Sequence, residues 1–175
     1  MSGIVSRPDE ERAVVDFLDS AGKGPSALLV EGAAGIGKTT LCLHAVDQAR
    51  QRRMRVLATR PAEAESVVAY SALADLLGGL QARLLERLPQ PQLRAVDQVL
   101  LRADETETVT EPRAVAAAFL AVVEALAAEN TVVIAIDDVQ WLDPSSVFAL
   151  SFATRRFAGP VPGHCCCTPT RRARS

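Results

Sequence analysis

Leu28-Leu29-Val30-Glu31-Gly32-Ala33-Ala34-Gly35-Ile36-Gly37-Lys38-Thr39-Thr40 decides the fold of this chain. An apolar run enters a glycine-rich loop, and the loop ends in Lys-Thr-Thr. Gly32, four residues, then Gly37-Lys38-Thr39 is the spacing of a phosphate-binding P-loop. Glycines let the backbone curl so that successive N–H groups point inward at an anion. A following helix adds the positive end of its dipole at the same place. In this arrangement Lys38 reaches the β- and γ-phosphates of a nucleotide, and the Thr39 hydroxyl ligates Mg²⁺. Gly32, Ala33, Ala34, Gly35, Ile36, Gly37, Lys38, Thr39 and Thr40 are therefore the candidate nucleotide-binding residues.

Such a loop has meaning only between a buried strand and a helix. Residues 27–30 supply the predicted strand, after Pro25 and Ser26. Leu41, Ala45, Val46 and Ala49 form an apolar stripe at helical spacing directly after the loop. Lys23 and Lys38 are the only lysines among 19 basic residues. A lysine retained at this one position fits the need for a compact, flexible point charge.

A second motif lies about a hundred residues downstream. Val132-Val133-Ile134-Ala135-Ile136-Asp137-Asp138 is an apolar strand ending in two carboxylates. Hydrolysis of a nucleotide needs one acid at a strand's carboxyl end to hold Mg²⁺, and a second to orient and deprotonate the attacking water. Asp137 is assigned to the metal with Thr39, and Asp138 to the water; Asp138 and Lys38 are the candidate catalytic residues. The plainer reading of two acids after a strand is a turn or a helix cap. Ligands of open parallel sheets bind at the carboxyl ends of the strands, and both motifs lie at such ends.

The remaining elements come from periodicity and punctuation. Ser6-Arg7-Pro8-Asp9 reads as a helix start with Ser6 as N-cap, and Val14, Phe17 and Leu18 as the buried face. A break at 22–25 precedes the first strand. The basic turn 50–53 ends the P-loop helix, and 55–59 reads as a second strand. Residues 66–102 hold two or three helices broken at Gly78-Gly79 and Pro89, and 104–108 an exposed loop. Thr110-Glu111-Pro112 starts another helix, with Thr110 as cap and Val115, Phe119, Val122 and Leu126 on one face. Asn130 closes it, and 131–136 is a strand covered on both faces. Asp143-Pro144 starts a last helix toward Arg156. Strands alternating with helices predict an α/β fold, three layers α/β/α around a parallel sheet.

Composition excludes several classes. At 175 residues there is room for one domain that buries about 70% of its unfolded surface. A net charge of −2 offers no basic field for nucleic acid. No N-terminal signal pattern and no apolar stretch long enough for a bilayer is found, so no membrane partner and a cytoplasmic location are expected. Cys42, one turn into the P-loop helix, reads as a small core residue. Cys165, Cys166 and Cys167 are adjacent, which suits neither a disulfide framework nor a tetrahedral zinc site.

Asp137-Asp138-Val139-Gln140-Trp141-Leu142-Asp143 resembles the Walker B extension of bacterial STAND-type ATPases, within the AAA-like group. The nearest likeness is to the nucleotide-binding domain of large LuxR-family transcriptional regulators. Val5-Ser6-Arg7-Pro8-Asp9-Glu10 is similar to that family's N-terminal Gly-Arg-x-x-Glu box, with Ser6 where glycine is usual. Arg60-Pro61-Ala62-Glu63 followed by Tyr70-Ser71-Ala72-Leu73 is similar to its segment after the second strand. The resemblance covers about residues 4–160. It implies ATP with Mg²⁺ as cofactors, slow or regulated hydrolysis, and a nucleotide switch that drives self-association or exposes a DNA-binding domain. It also implies that Arg7 lies near the nucleotide. ATP is preferred to GTP by resemblance, and the guanine-reading Asn-Lys-x-Asp element is absent from the sequence. An Orc-like ATPase, a small-molecule P-loop kinase using Arg155 and Arg156, and a binding-only module remain as alternatives.

The same resemblance implies the strand order 5-1-4-3-2, with a sensor strand between the P-loop strand and the Walker B strand. It should come after Gly159-Pro160-Val161-Pro162. The chain instead reads Gly163-His164-Cys165-Cys166-Cys167-Thr168 and ends at Ser175. In a GC-rich gene His-Cys-Cys-Cys would be CAC-TGC-TGC-TGC, and the shifted frame reads CTG-CTG-CTG, three leucines. The expectation is an AAA-like domain at 1–162, its C-terminal part incomplete, followed by an aberrant or disordered tail at 163–175. A cysteine-rich metal tail is the rival reading. Cys165–Cys167 could still be drawn into the vacant strand position. Any DNA contact would come only through a missing C-terminal domain, and weak stability with little turnover is expected.

Overall fold

A computed structural model describes residues 8–102, 111–157 and 164–170. Helix α1 (Pro8–Ser20) opens with Asp9, Glu10 and Glu11, whose charges suit a helix N-terminus, and buries Val14, Phe17 and Leu18. Ser6, its expected cap, lies outside the described residues. Strand β1 (Ser26–Glu31) leads through the loop into α2 (Lys38–Gln51), which buries Leu41, Cys42, Ala45, Val46 and Ala49. Strand β2 (Arg55–Thr59) has the predicted bounds.

Three helices then fill the region between Ser66 and Arg102: α3 (Ser71–Gly78), α4 (Ala82–Leu85) and α5 (Gln90–Val99). The loop expected at 104–108 lies outside the described residues, as does Thr110. The N-cap position of α6 (Pro112–Ala127) falls on Glu111, whose side chain makes no capping bond, and Pro112 occupies the first turn. Val115, Phe119, Val122 and Leu126 are buried as their spacing predicts. Asn130 closes the helix with its N–H on Leu126 O at 3.0 Å, and its side chain fixes the turn that follows: Nδ2 donates to Arg53 O at 2.7 Å, and Oδ1 accepts from Thr131 N–H at 2.9 Å. Strand β3 (Val132–Ile136) is buried at every position. Helix α7 (Pro144–Thr154) and strand β4 (His164–Thr170) complete the order.

The sheet runs β1-β4-β3-β2, all neighbours parallel. β4 thus occupies the position between the P-loop strand and the Walker B strand. Cys165–Cys167 pair with Ser26–Leu28 on one side and with Val133–Ala135 on the other. Pro169 stands opposite Val30, beyond the last β4 residue paired with β3. A residue without an N–H costs least there.

The two faces of β3 build two cores. Val133 packs with α1 and α2 on one side, while Val132, Ile134 and Ile136 pack with α3, α5, α6 and α7 on the other. Burying each such side chain contributes about 1.5–3 kcal/mol. This is the three-layer α/β/α architecture with a parallel sheet. Its consequence for function is direct: parallel strands β1 and β3, with β4 between them, end at the same edge, so Gly32 and Asp137 emerge on the same side of the sheet.

Candidate nucleotide site

Each loop glycine meets a separate demand. A Cβ on Gly32 would lie 2.9 Å from Ile36 Cγ2, so the loop closes on itself there. Gly35 (φ 76°) and Gly37 (φ 96°) adopt left-handed backbone that other residues reach only with strain. Gly37 is also the N-cap of α2, and its carbonyl accepts Leu41 N–H at 3.1 Å. Lys38 folds back across the loop: Nζ donates to Gly32 O and Ala33 O, both at 3.0 Å. The ammonium is thereby held at the loop mouth, where an anion would meet it.

Asp137 and Asp138 come directly after β3. Asp137 N–H continues the sheet ladder to Thr59 O at 3.1 Å. Its side chain is buried, and Oδ2 receives no hydrogen bond. A desolvated anionic oxygen of this kind is costly without a cation. Thr39 and Asp137 line one cleft of about 250 Å³, together with Cys42, Thr59 and Arg60. A hard cation takes oxygen ligands, a hydroxyl and a carboxylate among them, so this pair fits Mg²⁺.

Asp138 turns into left-handed backbone (φ 57°, ψ 48°) and heads the 3-10 turn Val139–Trp141. Its Oδ1 accepts from Gln140 Nε2 at 2.9 Å. The reversal of backbone hand directs two successive carboxylates out of one strand end. Cys42 sits on the first turns of α2 beside them; burial, and then the charge of Asp137, push its thiol up to about 11.

Three features of the site carry no mark in the sequence pattern. Arg60 Nε lies 3.4 Å from Asp137 Oδ2 and 3.7 Å from Asp138 Oδ2. The register that pairs Thr59 with Ile136 makes Arg60 and Asp137 the next residues on adjacent strands; without that register the contact has no signal in the sequence. Asp143, read from sequence only as a helix start, caps two helices. As N-cap of α7 it accepts from Ser146 N–H at 2.9 Å, and it also accepts from Tyr70 N–H at 2.8 Å and Ala72 N–H at 3.4 Å at the start of α3. The third is the closeness of Cys42 to Asp137.

Arg7 lies outside the described residues. Arg156 is engaged by its own helix end: its guanidinium stacks 3.4 Å from the Phe152 ring centroid, and Nη1 donates to Phe152 O. A larger cleft of about 770 Å³ lies at the opposite, amino end of β2 and β3, lined by Arg53, Arg55, Arg83 and Arg87 with Glu129. It holds neither the glycine loop nor the carboxylate pair, whereas the smaller cleft is lined by Thr39 and Asp137, which directly follow Lys38 and β3.

The sequence matches the AAA ATPase domain family over residues 4–163. No curated protein matches it. The match spans the glycine loop, Lys38 and the Asp137-Asp138 pair, the residues that the fold gathers at one sheet edge. The chain belongs to the AAA ATPase domain family.

Proposed function

We propose that this nucleotide-binding ATPase domain binds Mg-ATP and acts as a STAND-type switch within a transcriptional regulator of the LuxR-like kind. The observation that carries the reading is the placing of two charges of opposite sign at the carboxyl edge of one parallel sheet. Lys38 is clamped over the loop after β1, and the buried Asp137 stands at the end of β3 with an oxygen that lacks a hydrogen bond. Loop N–H groups and Lys38 hold the phosphates, Thr39 and Asp137 hold the ion, and Asp138 orients and deprotonates water. Bound Mg²⁺ would neutralise charge on the β- and γ-phosphates. The resemblance of the N-terminal box adds Arg7 to the residues proposed to contact the nucleotide.

The regulatory part of the reading rests on the segment 137–143. Asp143 joins the end of the Walker B segment to α3 and α7, so a change at Asp137 has a connected path into two helices. DNA contact through a further domain, self-association of the ATPase domain and a cytoplasmic location complete the proposal. It takes residues 1–162 as the domain and 163–175 as a frameshifted stretch. Among the described residues no helix is long and apolar enough to cross a membrane.

Titration with a fluorescent ATP analogue, with and without Mg²⁺, tests the binding step. Saturable binding that Lys38→Ala removes is expected; no binding by the intact chain would refute it. The regulatory step is tested in the gene: the corrected frame should continue into a helix-turn-helix.

A further inference from the structure

The carboxylate pair already has a cation. Arg60 places its Nε 3.4 Å from Asp137 Oδ2 and 3.7 Å from Asp138 Oδ2. These separations exceed the usual N–H···O range and reach two carboxylates at once, unlike a bidentate fork on one. The contact is electrostatic and loose. Asp137 is buried, whereas the Arg60 side chain is 65% exposed. One partner is fixed in the protein and the other stands in water, free to leave at small cost.

The segment that Arg60 leads is pinned at its far end. Between β2 and α3 the chain makes one 3-10 turn, Glu63–Glu65, and leaves Val67 87% and Val68 52% exposed. It is then fastened to Asp143 by Tyr70 N–H, the Ser71 hydroxyl and Ala72 N–H. Both anchors, Asp137-Asp138 and Asp143, belong to the same short stretch after β3. Only the first is a place where a metal ion would compete.

We propose that Arg60 is the resident counter-cation of the Asp137-Asp138 pair, that a divalent ion must displace it to load, and that its departure loosens residues 62–69, the stretch beyond the buried Pro61. The proposal rests on the assignment of the nucleotide site to this sheet edge. Two cations within about 4 Å of the same oxygens repel, so ion and guanidinium occupancy exclude one another. The Asp143 anchor stays closed throughout. Ion loading thereby becomes a change of order in an exposed strap, with no rearrangement of the sheet.

Three measurements on the full chain test this. Nucleotide binding in EDTA is followed with a fluorescent ATP analogue. Mn²⁺ is titrated by electron paramagnetic resonance into the chain saturated with a non-hydrolysable ATP analogue, for wild type, Arg60→Met and Arg60→Lys. Hydrogen exchange is read over 62–69. Arg60→Met should bind Mn²⁺ about two- to fivefold tighter, in line with removal of a partly exposed ion pair, while Arg60→Lys stays near wild type. The strap amides of Arg60→Met should exchange in EDTA as fast as those of wild type with Mn²⁺. Unchanged or weaker Mn²⁺ binding by a folded Arg60→Met protein, checked by circular dichroism, overturns the proposal. So does strap exchange in wild type that ignores Mn²⁺. A wild-type chain that binds no nucleotide overturns the site assignment and the proposal together; one that binds nucleotide while its Mn²⁺ affinity does not depend on Arg60 overturns the proposal alone.

Discussion

Asp143 Oδ1 accepts the backbone N–H of Tyr70 at 2.8 Å, across 73 positions of sequence. Helix α3 has no side-chain cap of its own. Its first free N–H groups are met from outside, Ala72 by Asp143 and Leu73 by the Ser146 hydroxyl at 3.0 Å. One fully buried carboxylate thus completes the N-termini of two helices on the same face of the sheet.

Removing that carboxylate strands several buried donors. Asp143→Ala should lower stability by about 3 kcal/mol, more than an ordinary lost cap. Urea unfolding followed by circular dichroism measures it; a midpoint equal to wild type would refute the double-cap account.

Asp143 also makes stability depend on pH with a definite sign. Burial works against its ionisation, but hydrogen bonds from the Ser146 hydroxyl and N–H and from Tyr70 and Ala72 outweigh it, so its pKa lies below the ordinary carboxylate value. Its contribution is full above about pH 4, the unfolded value, and fades as pH falls through the lower folded value. The loss of stability between pH 5 and pH 3 should be smaller in Asp143→Asn than in wild type. Parallel pH profiles would count against this assignment.

Lys38 is tied to carbonyls at the surface of the loop, and its role is with the ligand. Lys38→Ala should weaken ATP binding at least about a hundredfold, the scale of a lost charge-assisted contact. Stability should stay within about 1 kcal/mol of wild type. Fluorescent nucleotide titration beside urea unfolding separates the two effects, and binding that survives the substitution would contradict the site.

The two aspartates should divide their effects. Asp138→Asn is expected to spare ATP affinity and abolish phosphate release, whereas Asp137→Asn should lower Mg²⁺ affinity on the order of tenfold or more. Equal loss of nucleotide affinity in both variants would refute this division.

Cys42 should be nearly inert in the folded chain. With its pKa at about 11, raised by burial and then by the charge of Asp137, only about one thiol in a thousand is ionised at pH 8. Iodoacetamide labelling of the Cys42 peptide, read by mass spectrometry, should accelerate on the order of a hundredfold in urea. Fast labelling of the native chain would show that the thiol is not shielded.

Local features of this protein were legible in the sequence because their causes are local. The Gly32-to-Thr39 spacing specifies a turn that only glycine permits at Gly35 and Gly37. The β-branched run before Asp137 specifies a strand buried on both faces, and the stripe Val115, Phe119, Val122, Leu126 specifies one face of a helix. The pattern also carried the site's two charges of opposite sign, because each sits at the end of a recognisable strand. What it could not carry was lateral register. Arg60 meets Asp137 only because Thr59 pairs with Ile136, and Tyr70 meets Asp143 only because α3 and α7 pack on the same face of the sheet. Parallel neighbours are joined by long crossovers, so their alignment depends on how the two cores pack and leaves no short-range mark. The sequence alone determined the nucleotide loop, the acidic strand end and the layered fold. Tertiary structure alone decided which cation faces the acids and which carboxylate ties the helices to them, since side chains this far apart in the chain meet only where packing brings them together.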